Sequence, residues 1–390
     1  MKTVPLGDVV DFYSGGTPPK ANAALWQGDV PWFSAKDMKR PRLADSADHV
    51  AEDVFKRTSL RRLPAGTIAM VVRGMILAHT VPISILDVDA AINQDLKALL
   101  PKREVDTSFL AAMLRAQHDS ILSQVTTAAH GTKKLDSRVL ESIPIPLPPL
   151  PEQRRIVTIL DHVEVLRSKR RQALAHLSAL PQALLGDLLR AGFDRVALGD
   201  LIAEGPKNGL YRPSSDYGSG TPIVRIDSFK FGSGEISMGS LRRLRASATE
   251  VTEFALATGD LLVNRVNSRE HVGKTALVGG LLEPTVFESN MMRIRVNQER
   301  LLPSFAAEFM QTDDVRAQVA PMTKDAVNQS SINQSDVRSL RIPLPPVALQ
   351  RQFEARVGAI NVQRATMQRA LGSDDELFAT LQARAFRGEL

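Results

Sequence analysis

Two stretches decide how this chain is built: Ile143-Pro-Ile-Pro-Leu-Pro-Pro-Leu-Pro-Glu-Gln-Arg-Arg-Ile156 and Arg341-Ile-Pro-Leu-Pro-Pro-Val-Ala-Leu-Gln-Arg-Gln-Phe353. They register with Ile145 on Ile342, 197 positions apart in a chain of 390. Proline fixes φ near −65° and lacks an N–H, so Pro144, Pro146, Pro148 and Pro149 exclude helix and central strand and predict a stiff extended strap. Pro151 fits a first helical turn, where a missing donor costs nothing, and Glu152 sets negative charge at the positive end of the helix dipole. Each strap is therefore expected to run straight into a helix.

Beyond the straps the apolar residues keep a 4-3 spacing: Ile156, Leu160, Val163, Leu174, Leu177, Leu184 and Leu188, then Phe353, Val357, Ile360, Met367, Leu371, Phe378 and Leu381. That rhythm is a coiled-coil seam rather than the broad stripe of a helix lying on a globule. Arg167 and Arg364, again 197 apart, interrupt it together with Arg170 and Asp374, and charges in a seam specify register and partner at a cost in stability. Each helix is expected to run about 40 residues, roughly 60 Å. Pro181 is expected to kink the first.

The duplication reaches further. Val4-Pro-Leu-Gly-Asp8 returns as Val196-Ala-Leu-Gly-Asp200, and Pro64-Ala-Gly-Thr-Ile68 returns loosely as Ala257-Thr-Gly-Asp-Leu261. Strands are predicted at 67–72, 75–77, 96–100, 222–226, 260–264, 275–278 and 292–296. Helices are predicted after an Asp106 or Thr107 cap through Ile121, over Leu135 to Glu141, and after Pro303. The reading is an α+β fold: two similar α/β domains joined by two long helices packed as an antiparallel coiled coil, with an internal pseudo-two-fold. Domain boundaries are expected at 1–150, 151–192 (helical), 193–347 and 348–390 (helical).

Apolar content of 43% and charge of 24% fit a folded globular protein. The longest apolar run, from Ile68 to Ile85, is broken by Arg73 and His79, and the N-terminus has no apolar signal core, so no membrane association is expected. The absence of cysteine excludes disulfides, thiolate metal sites and a Cys nucleophile, and agrees with a cytoplasmic location. A net charge of +6 is a thin excess, but basic residues cluster at Lys36 to Arg42, Arg57 to Arg62, Lys133 with Lys134, Arg167 to Arg171 and Arg242 to Arg245.

Catalytic patterns are missing. Gly273-Lys-Thr275 resembles the end of a phosphate-binding loop, but the glycine that the turn needs five positions earlier is Ser268, so a strand-entry turn is the better reading. The seven histidines are scattered without metal spacing, and there is no Gly-x-Ser-x-Gly or Gly-x-Gly-x-x-Gly. Trp26, Trp32 and Phe33 are expected in the core rather than stacked on bases, and Gly15 with Gly16 in a turn. What remains is a binder whose basic loops suit phosphates and whose Arg, Asn and Gln side chains suit base edges.

The combination of Ser14-Gly-Gly-Thr-Pro18, Trp26-Gln-Gly-Asp-Val-Pro-Trp32, the twice-used Ile-Pro-Leu-Pro-Pro strap, Glu152-Gln-Arg-Arg-Ile156 and Phe386-Arg-Gly-Glu-Leu390 resembles the specificity (S) subunit of type I restriction-modification enzymes along essentially the whole chain. The resemblance implies a non-catalytic subunit that reads a bipartite, asymmetric double-stranded DNA site with two target-recognition domains. It implies that the helices measure the spacer and dock two DNA methyltransferase subunits, which motor-nuclease subunits join. No cofactor is expected in this chain; S-adenosylmethionine, ATP and Mg belong to the partners. Catalytic and metal-binding residues are expected to be absent.

The loop chemistry selects the candidate DNA contacts: Lys36, Lys39, Arg40, Arg73, His130, Thr132, Lys133 and Lys134 in the first half, and Arg225, Arg265, Asn267, Arg269, Asn328, Gln329 and Ser330 in the second. Lysines would clamp phosphate; Arg, Asn and Gln would read bases. The expected helix–helix seam is Ile156, Leu160, Val163, Leu174, Leu177, Phe353, Val357, Ile360, Met367 and Leu371. Two other readings stay open: the recognition subunit of a related restriction system that cuts on both sides of its site, and a coiled-coil scaffold that binds protein.

Overall fold

Each proline strap is a short strand held by the N-terminal segment of its own half. Thr3–Pro5 pairs antiparallel with Pro144–Pro146, placing Val4 opposite Ile145. Arg195–Ala197 pairs antiparallel with Arg341–Pro343, placing Val196 opposite Ile342. The structure, a computed structural model, describes residues 2–128, 131–229, 234, 236, 238–326 and 329–389. Its chain divides into two units, Met1–Lys169 with Leu371–Leu390, and Arg170–Ala370. The long helical segments, expected as regions of their own, are shared out between these units.

The first unit is built on a five-stranded sheet in the order Val10–Ser14, Leu96–Pro101, Ile68–Val71, Ile83–Leu86, Arg42–Leu43, antiparallel except for its last pair. Beside it a small sheet places Val30–Phe33 between Asp48–Val50, antiparallel, and Ala91–Ile92, parallel. The second unit repeats the plan. Its larger sheet runs Ile202–Asn208, Met291–Val296, Leu261–Asn264, Thr275–Leu277, all antiparallel. Its smaller sheet places Tyr217–Val224 between Arg242–Leu244, antiparallel, and Val286–Phe287, parallel. The central strands are aliphatic runs buried on both faces, Ile68-Ala-Met-Val71 and Leu261-Leu-Val-Asn264.

Two helices cover the larger sheets. Thr107–Ala116 begins at Asp106, whose carboxylate accepts the Phe109 N–H at 3.0 Å, and buries Phe109, Leu110, Met113 and Leu114. Pro303–Phe309 begins on its own proline and buries Phe305 and Phe309. The first is shorter than the periodicity predicts: it breaks at Gln117, and His118–Leu122 forms a separate turn. A second correction concerns 75–77. This apolar triplet is a 3-10 turn, Met75–Ala78, because Gly74 at φ 127° ends the extended run, and only Leu77 of the three is buried.

The two straps enter their helices, Leu150–Leu189 and Val347–Arg387, through one repeated device. The fully buried Gln153 amide donates to the Pro148 carbonyl at 2.9 Å and the Glu104 carbonyl at 3.0 Å, and its oxygen accepts the Asp106 N–H at 2.8 Å. Gln350, 197 positions on, donates to Pro345 at 2.8 Å and Arg300 at 2.9 Å and accepts from Leu302 at 2.8 Å. Proline leaves its carbonyl without a ladder partner, and the glutamine supplies one while tying strap and helix start to the loop that precedes each sheet-covering helix.

All ten seam residues are buried or half-buried. In the first unit Ile156 and Leu160 pack with Phe109, Met113 and Ala385, while Arg167 donates to Asp375 at 2.6 Å, pairs with Glu164, and lies 4.4 Å from the Phe378 ring. In the second unit Arg170 reaches the Met367 sulfur at 3.8 Å, and Leu185 shares a cluster with Phe353 and Val357. Higher numbers on one helix meet lower numbers on the other in both units, so the segments run antiparallel. The ends of the seam are buried against the globular helices as well, as in the edge-on contact of Phe353 with Phe305 at 5.8 Å. The central helix continues through Pro181.

Candidate nucleic-acid interface

In each unit the central strand of the larger sheet runs out into a segment that a polar hairpin covers. In the first unit Val72 and Arg73 follow Ile68–Val71 and donate their N–H groups to the Asp95 carbonyl at 2.9 and 3.2 Å. The hairpin pairs Thr126–Thr127 with Lys133–Lys134, and it docks through Leu135 N–H to Val72 O at 2.9 Å and Gly74 N–H to Lys133 O at 3.0 Å. Arg73 stands opposite Lys134 in this bridge. Lys133 Nζ donates across the hairpin to Thr127 Oγ1 at 2.8 Å, and Lys134 pairs with Asp136 at 3.0 Å. Arg73, Thr132, Lys133 and Lys134 thus form one patch; His130 lies outside the described residues.

The second unit repeats this step for step. Arg265 and Val266 donate to the Asn290 carbonyl at 2.8 and 3.2 Å, and Ile332 N–H reaches Arg265 O at 2.9 Å. Val266–Asn267 pairs with Gln329–Ser331, which pairs in turn with Lys324–Ala326. Ser330 Oγ donates to Asp325 Oδ1 at 2.7 Å, the counterpart of the Lys133–Thr127 bond, and Arg269 pairs with the same Asp325. Arg265, Asn267, Arg269, Gln329 and Ser330 are thereby gathered; Asn328 lies outside the described residues. Backbone register equates Val72 with Arg265, Arg73 with Val266, and Lys133 with Ser330, so the arginine shifts by one position between the frames and the lysine of one unit is replaced by a neutral hydroxyl in the other.

The remaining candidates sit on a different loop. After Val30–Phe33 the Asp37 carboxylate accepts from Ser34 N–H and Oγ, both at 2.9 Å, and from Ala47 N–H at 3.1 Å, closing a cleft of about 400 Å³ lined by Lys36, Lys39, Arg40 and Arg42. Lys39 and Arg40 are exposed, whereas Lys36 is engaged with Asp48 at 2.6 Å, which raises its pKa. Arg115 braces the loop from beneath, donating to Pro41 O at 2.7 Å and Ile83 O at 3.1 Å; burial lowers its pKa.

Arg225 occupies the Ser34 position of the second unit. Its N–H binds Ser228 Oγ at 2.9 Å, and its guanidinium lies 3.4 Å from Glu288 and 5.3 Å from the Tyr217 ring. Lys274 supports this loop: its ammonium donates to Ile226 O at 2.8 Å and Phe229 O at 2.6 Å and lies 4.3 Å from the Phe229 ring, and burial lowers its pKa. Gly273-Lys-Thr275 is accordingly a strand-entry turn whose lysine is spent inside the fold. Asp37, Arg115, Lys274 and the two glutamines escaped sequence reasoning. For Asp37 the Ser34-x-x-Asp37 spacing was a signal, for the glutamines their 197-residue repeat; a buried Arg or Lys has none.

The aromatics are structural: Trp32 is buried, donates to Gly16 O at 2.9 Å, and meets Trp26 edge-on at 5.0 Å. Gly15 is more than a turn residue, since a Cβ there would lie 2.2 Å from the carbonyls of Ile92 and Asn93. No helix among the described residues is long and apolar enough to cross a membrane.

Residues 1–176 match the family described as "Type I restriction modification DNA specificity domain". The Escherichia coli EcoR124I/EcoR124II specificity subunit is 36% identical over 162 residues, 41% of this chain and 40% of that one. Residues 1–176 thus carry a type I specificity domain, and the chain is similar to type I restriction enzyme specificity subunits. The EcoKI specificity subunit of Escherichia coli K12 is 26% identical over 317 residues, 75% of this chain and 67% of that subunit. The match thus spans about two-fifths of the first specificity subunit and two-thirds of the second. In fold, the chain is similar to the type I S subunit from M. genitalium, with TM-score 0.57 and 14% identity over 99% of this chain and 96% of that one. A chain from a structure of type I complex assembly and conformational transition aligns with TM-score 0.60 and 18% identity, over 100% and 98% of the two chains. These likenesses agree with the α+β, long-helix-pair specificity-subunit fold.

Proposed function

We propose that the chain is the DNA-recognition subunit of a type I restriction-modification complex and reads a split, asymmetric site, one half with each unit. The observation that supports this is the paired frame: equivalent strand ends and hairpins present Arg73, Lys133 and Lys134 in one unit and Arg265, Asn267 and Gln329 in the other, where Ser330 is buried on Asp325. A scaffold with one job would gain nothing from holding two different sets of polar side chains on one backbone plan. Two unlike half-sites require it. Lysines neutralise phosphates; Arg, Asn and Gln discriminate base edges.

In this reading the chain performs no chemistry. The long helices dock two DNA methyltransferase subunits, motor-nuclease subunits join that core, and S-adenosylmethionine, ATP and Mg are bound by those partners in the cytoplasm. Sequencing modified bases in the host genome, with the gene present and deleted, tests the reading. The expected result is a bipartite asymmetric methylated motif that vanishes on deletion. A motif that survives deletion, or a contiguous palindrome that depends on the gene, overturns it.

A further inference from the structure

The second unit holds a polar cavity of its own. It measures about 450 Å³ and lies between the segment after Ile202–Asn208, the end of Tyr217–Val224 and the turn after Val286–Phe287. It adjoins the hairpin patch, because Arg265 Nη1 donates to Ser289 O at 3.3 Å and the Arg265 N–H to Asn290 O at 2.8 Å, and both acceptor residues line the cavity.

The cavity is rich in donors. Arg225 and the exposed Arg242 face into it, and Tyr211, 78% exposed, stands at its rim. Its carboxylate is already committed: Glu288 is buried, accepts from the Ile226 N–H and forms an ion pair with the Arg225 guanidinium. Arg212 is held by Glu250 and Asp216 and serves the wall. A large exposed aromatic beside two arginines serves no packing purpose, since Tyr217 already covers the core side. Register with the first unit sharpens the point. Gly16 N–H binds Ile92 O at 2.9 Å where Leu210 N–H binds Phe287 O at 2.8 Å, and Asn93 N–H binds Phe33 O at 2.9 Å where Glu288 N–H binds Val224 O at 3.0 Å. The counterparts of Tyr211, Arg225 and Glu288 are therefore Thr17, Ser34 and Asn93, with no arginine among them.

Among base edges in the major groove only guanine offers two acceptors, N7 and O6, side by side, the partner that a guanidinium fork fits. Resting on the reading above, we propose that this cavity is the base-discriminating pocket of the second unit and takes the edge of a guanine, with Arg242 as the reading fork, Arg225 behind it and Tyr211 covering the contact.

Methylated-base sequencing of host DNA tests this, using the full complex in its own cell with Arg242→Ala, Arg242→Lys or Tyr211→Ala. The half-site of the second unit is the one whose base preference relaxes in Arg265→Ala with Asn267→Ala. The expected result is one guanine in that half-site whose discrimination falls about 10- to 100-fold in Arg242→Ala and also in Arg242→Lys, which keeps the charge but not the fork, while the other half-site stays sharp. Unchanged discrimination, equal loss in both halves, or a half-site without guanine overturns the proposal. Tyr211→Ala alters only an exposed side chain and carries the test should Arg242→Ala melt early. A wild-type strain with no bipartite motif would instead defeat the functional reading itself.

Discussion

Gln153 shows what a single buried side chain does here. Three backbone groups with no other partner, two carbonyls and one N–H, converge on its amide, and Gln350 meets the same three in the other unit. Each bond contributes about 1 kcal/mol net, and a buried group left unpaired costs about as much again. Gln153→Ala or Gln350→Ala should therefore lower stability by at least about 3 kcal/mol, read by urea unfolding; a loss under about 1 kcal/mol would mean water replaces the amide. Gly15 and Gly16 supply a sharper contrast. A Cβ at Gly15 meets backbone oxygen at 2.2 Å, whereas at Gly16 its nearest neighbour is the Leu60 Cδ1 at 3.7 Å. Gly15→Ala should cost several kcal/mol, on the scale of forced backbone shifts, and Gly16→Ala less than about 1, compared by thermal melting.

Elements were far more legible in the sequence than contacts were. The straps, both long helices and the seam follow from proline chemistry and 4-3 spacing, because each depends on neighbours along the chain. The 75–77 triplet misled because periodicity is blind to a glycine at positive φ, and the bracing roles of Arg115 and Lys274 were invisible because their acceptors lie at least 32 residues away in sequence. The grouping of candidate residues into a hairpin patch and a loop cleft likewise depends on sheet order, which no local pattern encodes. Within the seam, Leu160→Asp would set a charge among Phe109, Met113, Ile156 and Ala385. It should destabilise the first unit by about 3 to 5 kcal/mol, seen as early melting with loss of near-UV signal. Helix Pro303–Phe309 contacts the central helix through Glu308, which accepts from Gln182 Nε2 at 3.1 Å; burial raises its pKa, opposed by Gln182 and Arg364. A raised carboxyl pKa contributes stability that is full below the ordinary value of about 4.5 and is lost as pH rises through the folded value. Glu308→Gln keeps an acceptor for Gln182 and removes the ionisation, so urea midpoints of variant and wild type should agree at about pH 4 and diverge in the variant's favour by about pH 7.

At the scale of the whole molecule, duplication separates what must be shared from what must differ. Strap pairing, glutamine locks, sheet order and the docking of each hairpin repeat with the same backbone bonds. The side chains those bonds display do not. A chain built this way should lose its two halves of recognition independently, since each patch, among the described residues, is built from strands of its own unit. Lys133→Ala with Lys134→Ala removes two cations from the first frame and should lower the slope of log affinity against log salt by about 2 while leaving base preference in the second half-site unchanged. Arg265→Ala with Asn267→Ala removes a donor fork and an amide from the second frame, and should relax base preference in the second half-site with a smaller change in slope, about 1. Binding titrations of the assembled complex across salt concentrations, paired with methylated-base sequencing, measure both quantities. Two variants that lowered affinity alike and blurred both half-sites together would show that the twin frames act as one surface, and independent reading would have to be given up.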